Sequence, residues 1–379
     1  MINKILHVNS NIRPGGGPAG YLYNLKKTIT KDSNFNVFSP EQSQERDNTV
    51  YNKRKIPVFL LRHLLCIKYI FNLLGLFKIK NENEILNYKY ILSHTAPITS
   101  RILKINKASI IGIMPHGPLS YSIESLDDLE DKYGKFLFRS FYQKILNKLE
   151  NNIFKKVDFI SVATKDGIDG YNNITIDFDK LFEVTTGLPG LETTQTKESA
   201  RKSLGLPADK FIVGYFGRYN HHKGYDYLCS EIDNNNDKNI LFISAGVGPL
   251  SSTAVDNYID FGWRKDIDIL ITSCDFIVVP NRFTYFDLLP LECLSLSRPV
   301  ILSNVGGNKT LAKIMGDVRI FNLQNGSLNT ILTELAKLSN QELNNINQSS
   351  KTIFDTNFNE YCFNLNHEKL FHDLSIKFK

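Results

Sequence analysis

The stretch that most constrains this chain is residues 275–307, DFIVVPNRFTYFDLLPLECLSLSRPVILSNVGG. Phe276–Val279 and Val300–Ser303 are short apolar runs bounded by Pro, Asn and Gly, which suits buried parallel strands. Between them the pattern predicts a helix opening near Asp287, which can cap or complement its start, and ending at Arg298 and Pro299. Strand, helix and parallel strand make a right-handed crossover, with the helix start beside the carboxyl edge of the sheet. Open α/β sheets bind ligands at that edge, and helix-start amides suit phosphates. Glu292 is the odd residue, one carboxylate among Leu288, Leu289, Leu291, Cys293 and Leu294. It reads either as part of a solvated helix face or as an acceptor of two hydrogen bonds from a ribose diol.

The same alternation runs through both halves of the chain. Residues 4–10 form a strand candidate, followed by a Gly/Pro-rich loop (NIRPGGGPAG, with Gly15, Gly16 and Gly17) and a helix carrying Tyr21, Leu22 and Leu25. Such an opening suits close backbone approach to a phosphate or sugar. Residues 90–94 and 109–115 are further strands, the second leading directly into His116 and Gly117. Residues 139–156 have helical periodicity and lead into a strand over 157–162. In the second half, residues 211–216 (FIVGYF) are a strand followed by GRYNHHKG. Residues 239–249 then give a strand and a Gly turn at Gly248. Residues 338–351, rich in Asn and Lys, read as solvated surface. Strands alternating with helices in this way indicate α/β class with parallel sheets.

At 379 residues the chain is long enough for two domains, each with its own core. A formal charge of +6 permits anionic ligands and membrane surfaces without demanding nucleic acid, which we do not expect as a partner. The five cysteines are scattered, without CxxC spacing, and read as reduced thiols in a cytosol. The N-terminal residues have no secretory h-region, and no apolar run reaches the ~18 residues needed to span a bilayer. Residues 51–80 (YNKRKIPVFLLRHLLCIKYIFNLLGLFKIK) are basic and strongly apolar together. They read either as a buried helix with a charged outer side or as an interfacial helix on anionic lipid. Asp177 with Asp179, and Asp266 with Asp268, are formally DxD, and His221 and His222 are adjacent. Neither pattern is read as a metal site, since DxD triplets are common by chance and neighbouring loop histidines rarely converge.

Pro290, Leu291, Glu292, Arg298, Pro299, Val300, Ile301, Gly306 and Gly307 resemble the donor-binding signature of GT-B glycosyltransferases of family 4. In that signature an acidic residue stands eight positions before the glutamate; here the position holds Thr284. Residues 217–224 (GRYNHHKG) resemble the family's "GR…KG" loop, and Gly248 its "G-x-G-P" turn. Residues 261–264 (FGWR) resemble its nucleobase segment, His116 its first-domain histidine, and residues 181–190 a "V-I-P-N-G" turn with Thr186 in place of Asn. The resemblance implies two Rossmann-like domains facing a cleft, over residues 1–190 and 191–356, with 357–379 as a terminal helix returning to the first domain.

The resemblance further implies a glycosyltransferase that retains anomeric configuration, binds no metal or other cofactor, and takes a nucleotide-sugar, most simply UDP-linked. Arg218 and Lys223 would meet the diphosphate as charge grows on the leaving group, a forked donor beside a point charge. Glu292 would hold the ribose, while His116 and the loop at Gly15, Gly16 and Gly17 would face the sugar. Gly217, Gly248, Trp263, Arg264, Thr284, Asp287, Leu288 and Leu289 would complete the donor site. The acceptor would be a glycan, lipid-linked or on a protein, in cell-surface polysaccharide or glycoconjugate synthesis. The enzyme would be cytoplasmic, with possible peripheral contact to an anionic membrane. Two rivals stay open. A phosphorylase-like protein would carry pyridoxal phosphate, for which the sequence has no motif. A catalytically weak or inactive glycosyltransferase-like binding subunit would fit Thr284 and Thr186.

Overall fold

The computed structural model describes residues 1–40, 57–316 and 319–379. The chain divides into two compact units, Met1–Thr186 with Phe363–Lys379, and Gly187–Cys362. Among the described residues each unit is built on one six-stranded sheet whose pairings are all parallel.

In the first unit the strands are β1 (Ile2–Val8), β2 (Phe35–Phe38), β3 (Tyr88–Ser93), β4 (Ile110–Ile113), β5 (Phe159–Val162) and β6 (Leu181–Glu183). Their spatial order is β2-β1-β3-β4-β5-β6. Runs such as Tyr90, Ile91 and Leu92 are wholly buried, as expected where helices cover both faces of a parallel sheet. The chain leaves β1 to one side and returns on the other as β3, so the loops after these two strands diverge at the carboxyl edge. The helix Glu360–Lys377 completes this core. Its Phe363, Leu370 and Leu374 pack with Ile5, Leu22, Leu25 and Tyr90, each such burial contributing roughly 1.5–3 kcal/mol. Polar ties fix its seating: Glu368 accepts from Asn34 N at 2.9 Å, and Asn366 donates to Thr185 O at 2.9 Å.

Part of the apolar segment at residues 51–80, residues 51–56, lies outside the described residues. The segment continues as the helix Val58–Leu73, in which only Cys66 and Leu73 are buried. Its outer side is mainly apolar, with Lys68 exposed among the apolar residues. Leu60, Leu64, Ile67, Phe71 and Leu74, at helical spacing, are each 41–50% exposed.

In the second unit the strands are β7 (Phe211–Phe216), β8 (Ile240–Ala245), β9 (Tyr258–Asp260), β10 (Phe276–Val279), β11 (Val300–Ser303) and β12 (Ile320–Phe321). They lie in the order β12-β11-β10-β7-β8-β9, which puts the reversal of strand order between β7 and β10. Asp275, just ahead of β10, is a buried structural anchor. It accepts from Ile212 N, Arg201 Nη2 and Lys197 Nζ, each at 2.7 Å, joining β7, β10 and the helix Lys197–Ser203. The Asn-rich stretch near residue 340 is helical over Asn340–Asn357, started by a capping box between Ser339 and Glu342.

Candidate functional site

The loops that follow β7 and β10 meet at the point where the strand order reverses. Asn220 Oδ1 accepts from Lys223 N at 2.9 Å, and Tyr215 Oη donates to Arg218 O at 2.8 Å, so the backbone of residues 217–224 is held from within. Gly224 ends that loop at φ +66, and a Cβ there would lie 1.8 Å from Pro280 O. Only glycine satisfies both the left-handed backbone and this approach. Arg282 N donates to His222 O at 2.9 Å, closing the contact between the two loops. The Arg218 side chain is exposed and has no hydrogen-bond or ion-pair partner among the described residues. Lys223 turns the other way: its Nζ sits 2.5 Å from Asp287 Oδ2.

Asp287 therefore differs from the expected helix cap. The helix begins at Leu289, with Leu288 as its N-cap and no side-chain cap. Asp287 instead accepts from Lys223 and, at 2.6 Å, from Asn281 Nδ2. Burial alone would raise its carboxyl, but the Lys223 charge and these hydrogen bonds hold it below the usual carboxylate range. Glu292, one turn into the helix, is half-buried and shifted upward by burial and by the Asp287 charge. Its carboxyl oxygens have no hydrogen-bond partner among the described residues. Asp287 and Glu292 thus have opposite environments, the first paired with a cation and the second without a hydrogen-bond partner for its carboxyl group among the described residues. Thr284 is buried at 4% exposure, its carbonyl oxygen 2.0 Å from where a Gly306 Cβ would stand. Leu288 and Leu289 are part-buried at the helix start.

The loops after β8 and β9 extend the same edge. A Cβ at Gly248 would lie 2.1 Å from Tyr219 O, so that turn must be glycine to pack on the β7 loop. Gly217 is different: its nearest neighbour would be 3.7 Å away. Trp263 is 62% exposed, with Lys265 Nζ 5.8 Å from the ring centroid. Arg264 Nε donates to Asp266 Oδ1 at 2.8 Å, so its guanidinium is already engaged. Both residues follow β9, two strands out from β7, or roughly 10 Å along the sheet. Gly262 O accepts from Gly246 N at 2.9 Å, and a Cβ at Gly246 would lie 1.9 Å from Gly217 O, so the loops after β9, β8 and β7 touch in turn.

The first unit has its own carboxyl edge. Gly15, Gly16 and Gly17 are exposed, with open space around each and positive φ at Gly15 and Gly17. They lead into the helix Gly17–Lys27. His116, part-buried after β4, is joined to groups that no sequence motif singles out. His94 Nδ1 lies 2.7 Å from His116 Nε2, and His7 Nδ1 lies 3.0 Å from His94 Nε2. The Tyr21 ring stands against His116 at 4.7 Å, and Tyr21 Oη lies 2.9 Å from His367 Nε2. His7, His94 and His116 stand at the carboxyl ends of β1, β3 and β4, which the structure shows to be adjacent in the sheet. Glu124 packs against Gly117, where a Cβ would meet its Oε1 at 2.2 Å, and burial pushes its carboxyl up to about 7.

Residues 210–337 match the model of a family described as glycosyl transferases group 1. Over 309 residues the chain is 24% identical to the UDP-Gal:alpha-D-GlcNAc-diphosphoundecaprenol alpha-1,3-galactosyltransferase of Escherichia coli, covering 76% of this chain and 75% of that one. In structure it resembles sucrose-phosphate synthase from Thermosynechococcus elongatus, with a TM-score of 0.68 at 16% identity over 99% of both chains. It also resembles Anabaena HepE in complex with UDP and glucose, with a TM-score of 0.62 at 15% identity over 98% of this chain and 99% of the other. These structural likenesses establish the fold as GT-B. No helix among the described residues is long and apolar enough to cross a membrane.

Proposed function

On the premise that the chain is a GT-B glycosyltransferase, its residues 210–337 belonging to the group 1 glycosyl transferases, we propose that it moves a sugar from a UDP-linked donor to a lipid-linked glycan with retention of configuration. The observation that carries this reading is the constellation between β7 and β10. Among the described residues Arg218 lacks a side-chain partner, Lys223 is held by a single carboxylate, and Glu292 is a half-buried acceptor without a donor. A nucleoside diphosphate supplies what each needs: phosphate oxygens for the two cations and a ribose diol for Glu292. As the sugar leaves, negative charge grows on the diphosphate, and Arg218, Lys223 and loop amides stabilise it where it forms. Asp287, released from Lys223 by the phosphate, becomes an acceptor for a sugar hydroxyl and stands in for the acidic side chain that Thr284 cannot provide.

For the first unit we propose a sugar-hydroxyl contact through His116 and the loop at Gly15, Gly16 and Gly17. The Escherichia coli relative is named for a diphosphoundecaprenol-linked acceptor, and this supports a lipid-linked acceptor here. We further propose that the enzyme works in the cytoplasm against an anionic membrane surface, using the exposed apolar stripe of Val58–Leu73. The decisive experiment pairs a screen of nucleotide-sugars for nucleoside diphosphate release with the Lys223→Ala variant. Loss of leaving-group stabilisation of this kind, about 3 kcal/mol, should lower turnover by about two orders of magnitude. A near-wild-type rate would remove Lys223 from the site.

A further inference from the structure

The histidines of the first unit form a directed chain. His94 is buried at 1% exposure and uses both ring nitrogens, Nδ1 toward His116 and Nε2 toward His7. A neutral imidazole has one N–H and one lone pair, so His94 must donate on one side and accept on the other. Two arrangements satisfy this. In one, protons run outward: His7 Nδ1–H donates to His94 Nε2, and His94 Nδ1–H donates to His116 Nε2. In the other they run inward, and the last proton falls on His7 Nε2. His7 is wholly buried, and its Nε2 has no hydrogen-bond partner among the described residues. The inward arrangement therefore leaves a buried N–H without an acceptor, the rarer defect in folded proteins. The outward arrangement leaves only a bare lone pair there.

We propose that His94, backed by His7, is a positioning residue that fixes the tautomer of His116, holding it as an Nδ1–H hydrogen-bond donor for a hydroxyl of the transferred sugar or acceptor. The assignment of the ligand rests on the sugar contact proposed above for His116; the tautomer rests only on the geometry of the three rings. The rest of the environment is consistent with uncharged rings. Tyr21, Phe35, Phe363 and His367 pack around the chain, and no carboxylate is among these ring neighbours to favour an imidazolium. Burial keeps His7, His94 and His116 well below the usual imidazole range, with repulsion from neighbouring histidines adding to the effect at His7 and His94. His94 itself touches no ligand in this scheme and acts entirely through His116.

The test reads the tautomer directly. In protein labelled with nitrogen-15 in histidine, with the His116 signals assigned by their loss in His116→Gln, wild type should show a proton on His116 Nδ1 and none on Nε2 at neutral pH. His94→Asn keeps an amide N–H where Nδ1 was and should preserve that pattern. His94→Leu removes the donor and should shift the proton to Nε2. Wild-type spectra with the proton on Nε2, or unchanged spectra in a folded His94→Leu variant, would overturn the proposal. In transfer assays His94→Leu should fall by about five- to tenfold, the worth of one neutral hydrogen bond, with His94→Asn restoring most of the rate. Affinity for UDP itself should not change. If His116→Gln transfers sugar at the wild-type rate, the sugar contact and the functional part of the proposal both fall, whatever the spectra show.

Discussion

Lys223 Nζ and Asp287 Oδ2 lie 2.5 Å apart, joining the loop after β7 to the loop after β10. The cation proposed for the diphosphate is thus already neutralised, and a phosphate has to replace a carboxylate rather than fill an empty place. Asp287→Asn removes that competitor while keeping an Asn-compatible hydrogen-bond geometry. The expected outcome is tighter binding of bare UDP, by a few-fold, together with a sharp loss of sugar transfer. Titration calorimetry and a transfer assay check the two halves separately. Weaker UDP binding would show that Asp287 organises Lys223 for the ligand, and full transfer would end its role as substitute acid.

Glu292→Gln should weaken UDP binding by ~1.5–3 kcal/mol, the range for hydrogen bonds to a charged group, and reduce discrimination against a 2′-deoxy nucleotide. Because burial and Asp287 raise the Glu292 carboxyl, wild-type affinity should begin to fall at a higher pH than an ordinary glutamate would give as the solution is acidified. Glu292→Gln should lose that part of the pH dependence. Equal affinities for the two nucleotides in wild type would return Glu292 to a surface role.

Two glycines of the same loop should respond in opposite ways. Gly224→Ala meets Pro280 O at 1.8 Å and a positive φ, so it should cost more than ~1–2 kcal/mol and disable transfer. Gly217→Ala has no neighbour nearer than 3.7 Å and should fold normally. Urea midpoints of the two variants provide the comparison. Equal midpoints would mean that the β7 and β10 loops part easily.

The buried histidines make the first unit sensitive to acid. Each titrates near 6.5 when unfolded, whereas burial holds His7 at about 3 and His94 and His367 well below 6.5. The unfolded chain therefore binds more protons below pH 6.5, and stability is lost as pH falls through that window, by up to ~1.4 kcal/mol per pH unit for each. Glu124 and Glu150, raised by burial, act in the opposite sense. Comparing wild type with His367→Phe at pH 7 and pH 5 separates the two effects. The variant should lose less stability between these values, and parallel losses would contradict the assignment.

The apolar stripe on Val58–Leu73 should make the protein co-sediment with anionic vesicles at low salt. Leu64→Glu with Phe71→Glu should abolish this, since each side chain contributes roughly 1.5–3 kcal/mol when it leaves water. Wild-type protein that stays in the supernatant at low salt would remove the membrane from the scheme.

The sequence carried the strands most faithfully, because a strand buried on both faces is written as a continuous apolar run. Phe211–Phe216, Phe276–Val279 and Val300–Ser303 stand in the structure where the pattern put them. The start of the next helix was less legible. Asp287 looks like a cap, but a lysine 64 residues earlier draws it away, and the first turn begins at Leu289. Residues 338–351 looked like plain surface by composition, yet Ser339 and Glu342 spelled a capping box at the head of a helix. The histidine chain was hidden for another reason. His7, His94 and His116 become neighbours only once β1, β3 and β4 are known to be adjacent, and strand order is not a local property.

The seating of Glu360–Lys377 has a consequence for how the molecule is made. Phe363, Leu370 and Leu374 belong to the core that also contains Ile5 and Leu22, so this core is assembled from the first and last parts of the chain. The second unit, Gly187–Cys362, is continuous and is fully synthesised before those residues exist. On a ribosome the second unit has all of its own residues while the first still lacks its closing helix. Residues 1–186 are therefore made before Phe363, Leu370 and Leu374, which complete their apolar core.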